Sequence, residues 1–488
     1  MTVRGPHRSR RPRPGTTSAG RAVVLGAVLA LLGAACGEPA PPTPPPPDAR
    51  TVVAAITEDG LRASLEALAA ATEGSDQYRA VGSAGYDAAA DVVERELRAA
   101  GWTVTADAYD DATFADEGGS FLEVGGRTFG VADVRPVIFA PPGDVEGRVI
   151  TLDWALDAPV DMAKGCAVTH YGSLPPNAIV LVRDGPCGLR DQVIAAQKAG
   201  AAAFVAVYPQ VPADVVFRPT LIEPRLIWIP ALAVSREAAD VLLAAAADRA
   251  TAHLVTHARR STGPTRSILA ELPGTEPGAV IMLGSHLDSA LEGPGINDDG
   301  SGVAALLEIA RALVGTRPRA TIRLAFWSGE ELGLHGSYRY ASALSAEDAR
   351  AILVYANVDM IASPNGYAGV YDQPGAPPGS TAARDLLSAA IERAGGSPVG
   401  VDVGGGSDHF GFDEAGIATA GVFSGAAEPV SAEQAAASGA IAGRPADPCY
   451  HQACDNLANA NVRLARVLAA GLADFTVRVA NNPGLLRH

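Results

Sequence analysis

Four short segments constrain this chain more than anything else in it: GSHLDS (residues 284–289), GINDDGSG (295–302), FWSGEELG (326–333) and YANVDM (355–360). Each follows an apolar run or leads into a helix. The runs 279–283, 320–326 and 351–358 are continuous enough to be central strands buried on both faces. Residues 303–313 read as an amphipathic helix, with Val303, Leu306, Leu307 and Ala310 on its buried side and Ser301 as its N-cap. Acid and histidine positions at the ends of such strands have the spacing that a pair of metal ions needs. Strands alternating with helices almost to the end, with early helices in 51–105, define an α/β domain.

The 488 residues suffice for two or three domains with proper cores. Six arginines (4, 8, 10, 11, 13 and 21) lie in an N-terminal stretch without acids. Setting them aside leaves 32 basic residues against 54 acidic ones, a net charge of −22. Such a surface repels nucleic acid and excludes it as a partner class. The Arg-rich stretch precedes an apolar run at 22–35, too short to span a bilayer comfortably, so residues 1–35 are expected to be an export signal. Leu32-Gly33-Ala34-Ala35-Cys36 resembles a bacterial lipobox, with Gly33 where Leu is usual; it predicts acylation of Cys36 and attachment to the outer face of the cell membrane. Residues 36–50 form a Pro-rich linker, stiff and extended. The remaining cysteines divide into Cys166 with Cys187 and Cys449 with Cys454, and an oxidising compartment favours both pairs as disulfides.

Residues 106–134 are polar and Gly-containing, with short strand candidates. From 136 to 257 short β-rich runs (RVITLDW, AIVLVRD, AAFVAVY, IPALAVS) surround one helix at 189–199. Gly165-Cys166, the strand 178–183, Gly185-Pro186-Cys187 and the helix-turn-strand 192–207 resemble the protease-associated domain. No catalytic constellation occurs there, and His170 reads as a surface or turn residue. The expected organisation is therefore a catalytic domain at 51–135 and 258–488, interrupted by a small β-rich insert at 136–257.

Within the four segments, His286 and Asp288 lie two apart past a strand and point to one side if extended. A metal-bound imidazole needs its other nitrogen held, which makes His286 a ligand and Asp288 its orienter. Two adjacent acids exceed what the turn at 297–302 requires; Asp298 can bridge two metals, one oxygen on each. Glu330 and Glu331 leave the backbone in different directions, giving a ligand (Glu331) and a general base (Glu330) from one dipeptide. Asp359 ends the next strand as a further ligand. The last ligand is either His409, in GGGSDHFGF, or His451, between Cys449 and Cys454; the short disulfide loop favours His451, but spacing leaves both open.

These segments look like the co-catalytic di-zinc aminopeptidase family, over roughly residues 78–102 and from 266 to the end. The resemblance implies a mixed-sheet zinc-peptidase fold and two zinc ions per chain. His286 and Asp359 would hold one ion, Glu331 and His451 the other, with Asp298 bridging and Glu330 as base. It selects His451 over His409, makes Tyr450 a stabiliser of the tetrahedral intermediate and places Phe423 in the substrate pocket. Substrates would be peptides with a free N-terminus, attacked by water activated on the zinc pair. Relatives often carry Arg where this chain has Gly406, which leaves substrate recognition open. A carboxypeptidase or other amidohydrolase on the same scaffold is the alternative, and a surface protein without enzymatic activity a more distant one.

Overall fold

The computed structural model describes residues 44–74, 77–152, 156, 164–209, 211, 213 and 215–486. The expected export signal, Cys36 and most of the Pro-rich linker lie outside the described residues. Among the described residues no helix is long and apolar enough to cross a membrane.

Two eight-stranded sheets organise the chain. The first runs in the order Thr103–Asp116, Ala258–Leu272, Thr321–Trp327, Val280–His286, Ile352–Val358, Thr419–Phe423, Ala368–Tyr371, Pro398–Val401. Its four central strands, from Thr321–Trp327 to Thr419–Phe423, are mutually parallel, and their apolar runs are buried as continuous hydrophobic strands require. Chain order reverses around Val280–His286: the chain goes to one neighbour first and then crosses to the other. At such a switch point the loops part and leave a crevice outside the carboxyl ends of the strands.

One face of this sheet packs against helices Glu58–Thr72, Ala84–Ala99, Gly300–Ala312, Ser380–Arg393 and Val462–Asn481 in the largest apolar core. Leu61, Leu65 and Leu68 all point into it, as their spacing requires. The other face buries Met282, Trp327, Tyr355 and Phe412, with the Tyr355 and Phe412 rings stacked at 3.8 Å.

Several local expectations need correction. Helix Gly300–Ala312 is buried on every side, because the sheet and the helices around it enclose it. Its N-cap is Asp299, whose carboxylate accepts from the Gly302 amide; Ser301 lies inside the first turn and donates to the Asn297 carbonyl. A Cβ at Gly302 would sit 2.5 Å from the Val358 carbonyl, so glycine there lets the helix start directly against the neighbouring strand. Residues 106–134 hold one long strand rather than only short ones. Thr103–Asp116 pairs antiparallel along its whole length with Ala258–Leu272. Its alternating Thr, Asp and Ala side chains are half-exposed, so no apolar periodicity announces it.

That ribbon leads to the second sheet, ordered Arg127–Phe129, Phe121–Val124, Thr251–Thr256, Gly143–Thr151, Ile179–Arg183, Ala203–Val207, Ala231–Val234, Val134–Pro136. Three of its strands begin before residue 136. Besides helix Leu189–Lys198 it carries a second, Arg236–Ala247, started by the Ser235 side chain. Apolar cores form on both of its faces. Cys166–Cys187 and Cys449–Cys454 are both disulfides, and His170 accepts a hydrogen bond from the Gly165 amide.

Candidate metal centre

The loops that leave the parallel strands converge on one cluster. His286, at the end of its strand, presents Nε2 at 3.1 Å from Asp298 Oδ1 and 3.6 Å from Asp359 Oδ1. From far along the chain, His451 presents its Nε2 at 3.2 Å from Asp298 Oδ2 and 3.2 Å from Glu331 Oε2. The Asp298 carboxylate thus stands between two imidazoles with one oxygen toward each. Two donor groups result, His286 with Glu330 and Asp359, and Asp298 with Glu331 and His451; within each, the donor atoms lie within 4.8 Å of one another. His409 is elsewhere: its Nε2 lies 2.9 Å from the Gly404 carbonyl and 2.8 Å from the Gln373 amide nitrogen.

Buried side chains behind the cluster hold these loops. Asp288 works differently from the sequence expectation. Its carboxylate accepts the amides of Gly329, Glu330 and Glu331 at 3.0–3.2 Å, fixing the turn that carries both glutamates. The His286 Nδ1 instead meets the backbone carbonyl of Asp288 at 3.1 Å, its carboxylate being 3.8 Å away. Asp299, joined to Asp298 by a cis peptide bond, accepts from Ser285 Oγ at 2.5 Å, the Gly302 amide at 2.9 Å and the Met360 amide at 3.1 Å. One carboxylate therefore ties a strand end, the start of a helix and the segment after another strand. Asp455 accepts the amides of Asn297 and Asp298, and Asp447 accepts the Asn297 side chain. Ser407 donates to Asp359 at 2.7 Å.

Arg79 went unseen in the sequence because it belongs to no motif and sits in a loop between two helices. Fully buried, it donates from Nε to the Leu287 carbonyl and from Nη2 to the Gly295 carbonyl, both at 2.9 Å, and from Nη1 to Pro294. It clamps the segments that carry His286 and Asp298. Burial lowers its pKa, while Asp455, Asp299, Asp288 and Asp298 oppose the shift.

So many acids in one buried place perturb one another. Glu330 is pushed well above the carboxylate range by burial, reinforced by Asp408, Glu331 and Asp359 and opposed by His286. Burial raises Asp288 to about 6. Burial also opposes charge on His286, yet Glu330, Asp298 and Asp359 raise it well above the ordinary imidazole value; Glu331 and Asp298 do the same to His451. Glu331 Oε1 and Asp359 Oδ1 are buried without a hydrogen-bond partner among the described residues. Two imidazole nitrogens, crowded carboxylates and buried orphan oxygens fit divalent cations of the zinc type, which take N and O ligands in such sets.

The cluster floors a cavity of about 1180 Å³. Tyr450, Phe423 and Gly406 line it, and Tyr450 packs on the His451 ring at 3.9 Å between centroids. Phe217, Arg218 and Ile222, from the second sheet's part of the chain, line it as well.

An α/β sheet with an acid and histidine cluster that could hold metal at its switch point, interrupted by a β-rich insert, defines the class. Residues 267–476 match peptidase family M28 and residues 145–242 match the PA domain. The chain is 34% identical over 432 residues to a probable lipoprotein aminopeptidase of Mycobacterium tuberculosis, covering 86% of this chain and 84% of that protein. It is 32% identical over 438 residues to an aminopeptidase of Pseudomonas aeruginosa, covering 84% and 78%. The aminopeptidase from Aneurinibacillus sp. strain AM-1 shares the fold, with a TM-score of 0.71 at 21% identity over 89% of this chain and 96% of that one. A zinc aminopeptidase from Bacillus subtilis superposes with a TM-score of 0.67 at 19% identity, over 88% and 96%. The chain belongs to peptidase family M28, its catalytic domain interrupted by a PA domain.

Proposed function

We propose that this chain is an exported metallo-aminopeptidase that removes N-terminal residues from peptides with two zinc ions per chain. The observation that carries the reading is the Asp298 carboxylate, with one oxygen 3.1 Å from the His286 Nε2 and the other 3.2 Å from the His451 Nε2. In this assignment His286 and Asp359 would hold one zinc and Glu331 and His451 the other, with Asp298 shared between them. When bound, zinc polarises a carbonyl and brings the pKa of water toward roughly 7.

The chain's own residues supply the rest. Glu330 faces the cavity beside these donors and is the general base, taking a proton from the attacking water and passing it to the leaving amine. Asp288 keeps Glu330 in place through its amide. Tyr450 donates its hydroxyl to the developing oxyanion, and Phe423 packs on the N-terminal side chain. The acids lining the cavity hold the substrate's α-ammonium, which selects free N-termini.

The names of the curated relatives support aminopeptidase chemistry, and the lipoprotein relative supports acylation of Cys36. We assign residues 1–35 as the signal, 36–50 as the linker and 136–257 as the insert, within a catalytic domain of 51–135 and 258–488. Kinetics on a panel of aminoacyl-anilides, beside peptides blocked at the N-terminus, test the activity. Cleavage of blocked peptides from their C-terminus, with no anilide turnover, would assign a carboxypeptidase instead.

A further inference from the structure

The two histidines of the cluster are supported differently. His286 has its second ring nitrogen held by the Asp288 carbonyl at 3.1 Å, the usual arrangement for a metal-binding imidazole. His451 has no such bond: among the described residues its only polar neighbours are Asp298 and Glu331, both at Nε2. Its backbone is in the left-handed region, at φ 54°, inside the Cys449–Cys454 loop. A non-glycine residue there is unfavourable and persists only where its surroundings hold it.

What holds the ring is packing, and part of it comes from the PA insert. Phe217 lies nearly parallel to the His451 imidazole, 7° between planes and 5.7 Å between centroids, and is also 6.3 Å from Tyr450. Behind it Tyr208, also of the insert, meets Phe217 edge-on at 5.0 Å. The next residue pins this segment. Arg218 is almost fully buried and pairs with Asp116 at 2.8 Å and with Glu292 at 2.7 Å. Asp116 ends the ribbon strand, and Glu292 lies in the loop between His286 and Asp298, so the Phe217 backbone is tied to the catalytic domain on two sides. A charge pair buried this way is costly to break.

We infer that Phe217 of the inserted domain is a positioning residue for His451, holding the imidazole plane so that Nε2 stays aimed between Asp298 and Glu331. The insert is thereby part of the metal centre's support, and metal affinity at the His451 end depends on it. The inference rests on the two-zinc reading above, and its test separates the two.

The measurement is zinc affinity of the full chain by competition with a chromophoric chelator, beside thermal unfolding of the metal-free proteins. Phe217→Ala is expected to weaken one of the two zinc ions by about 10–100-fold and leave the other unchanged, the usual cost of removing support behind a ligand. Phe217→Tyr, which keeps the ring, is expected to restore wild-type affinity, with Phe217→Leu between. In turnover, kcat should fall more than KM rises. Wild-type affinity for both ions in Phe217→Ala would overturn the proposal, as would parallel weakening of both ions with a lowered unfolding midpoint. His451→Ala is the reference: if it too keeps both ions, the two-zinc assignment fails and takes the proposal with it. Loss of one ion in His451→Ala but not in Phe217→Ala overturns the proposal alone.

Discussion

Asp298 shows how much chemistry one side chain can concentrate. Its charge is stabilised by two imidazoles that hold its pKa below the ordinary carboxylate range despite burial, and it is the one acid of the cluster placed between both. Glu330 is the opposite case, an acid kept ready to hold a proton by its burial and its acidic neighbours. Replacing it with alanine should leave metal content intact and lower turnover by about 10²–10⁴-fold, the range expected for loss of a general base. Zinc analysis beside steady-state kinetics decides this, and near-normal turnover with full zinc would reassign the base. The two histidines that spacing left open separate in the same experiment. His451→Ala should lower bound zinc from two per chain toward one and abolish most activity. His409→Ala should keep both ions, since that imidazole faces Gly404 and Gln373 rather than the cluster.

At the scale of elements, the parallel strands deliver the cluster and the caps keep it in register. Helix Gly300–Ala312 begins where Asp299 accepts from Gly302, and the same carboxylate reaches Ser285 on one strand and Met360 past another. Removing it leaves three buried donors without a partner, each worth about 1–3 kcal/mol. Asp299→Ala should therefore cost about 3 kcal/mol or more in urea unfolding, and Asp299→Asn, which keeps one acceptor oxygen, visibly less. An unchanged urea midpoint for Asp299→Ala would mean that the three segments are held independently of it. Arg79 acts at the same scale, converting three carbonyls of one loop into a single clamp.

For the whole molecule, so many buried acids make the metal-free protein sensitive to pH. Burial raises Asp455 to about 7 and Asp288 to about 6, against 3.8 for an ordinary aspartate. A group whose folded pKa is raised contributes stability below its unfolded pKa and loses it as pH rises through the folded one. The raised imidazoles of His286 and His451 have the same sign; Asp298, held low, acts oppositely only in acid. The chelated protein should therefore lose thermal stability steadily from about pH 4 to pH 8. Zinc binds only the folded protein with its ligands deprotonated, so the loaded protein should escape that loss and lie increasingly above the metal-free one. Calorimetric scans with and without chelator across this range check it, and parallel curves would contradict the coupling.

The alternation of buried strands and helices is written locally, in apolar runs of the right length, and so was the clustering of acids at strand ends. His286, Glu330, Glu331 and Asp359 could be singled out because each sits within a few residues of a strand whose direction the pattern predicts, and Asp298 because it stands just before a predicted helix. His451 could not be separated from His409 by pattern, since a ligand in a loop is placed by a fold that brings distant segments together. The long ribbon was hidden for another reason: half-exposed strands of Thr, Asp and Ala need no apolar period. Arg79, Asp299, Asp455 and Phe217 owe their roles to partners tens to hundreds of residues away, and a buried polar group or stacked ring is defined by what surrounds it. Local sequence determined the buried central strands and the acids and histidine that stand at their ends. Which loops meet, how each carboxylate is oriented and that the insert reaches the cluster were decided by the tertiary structure, because burial, pairing and stacking are properties of neighbours in space.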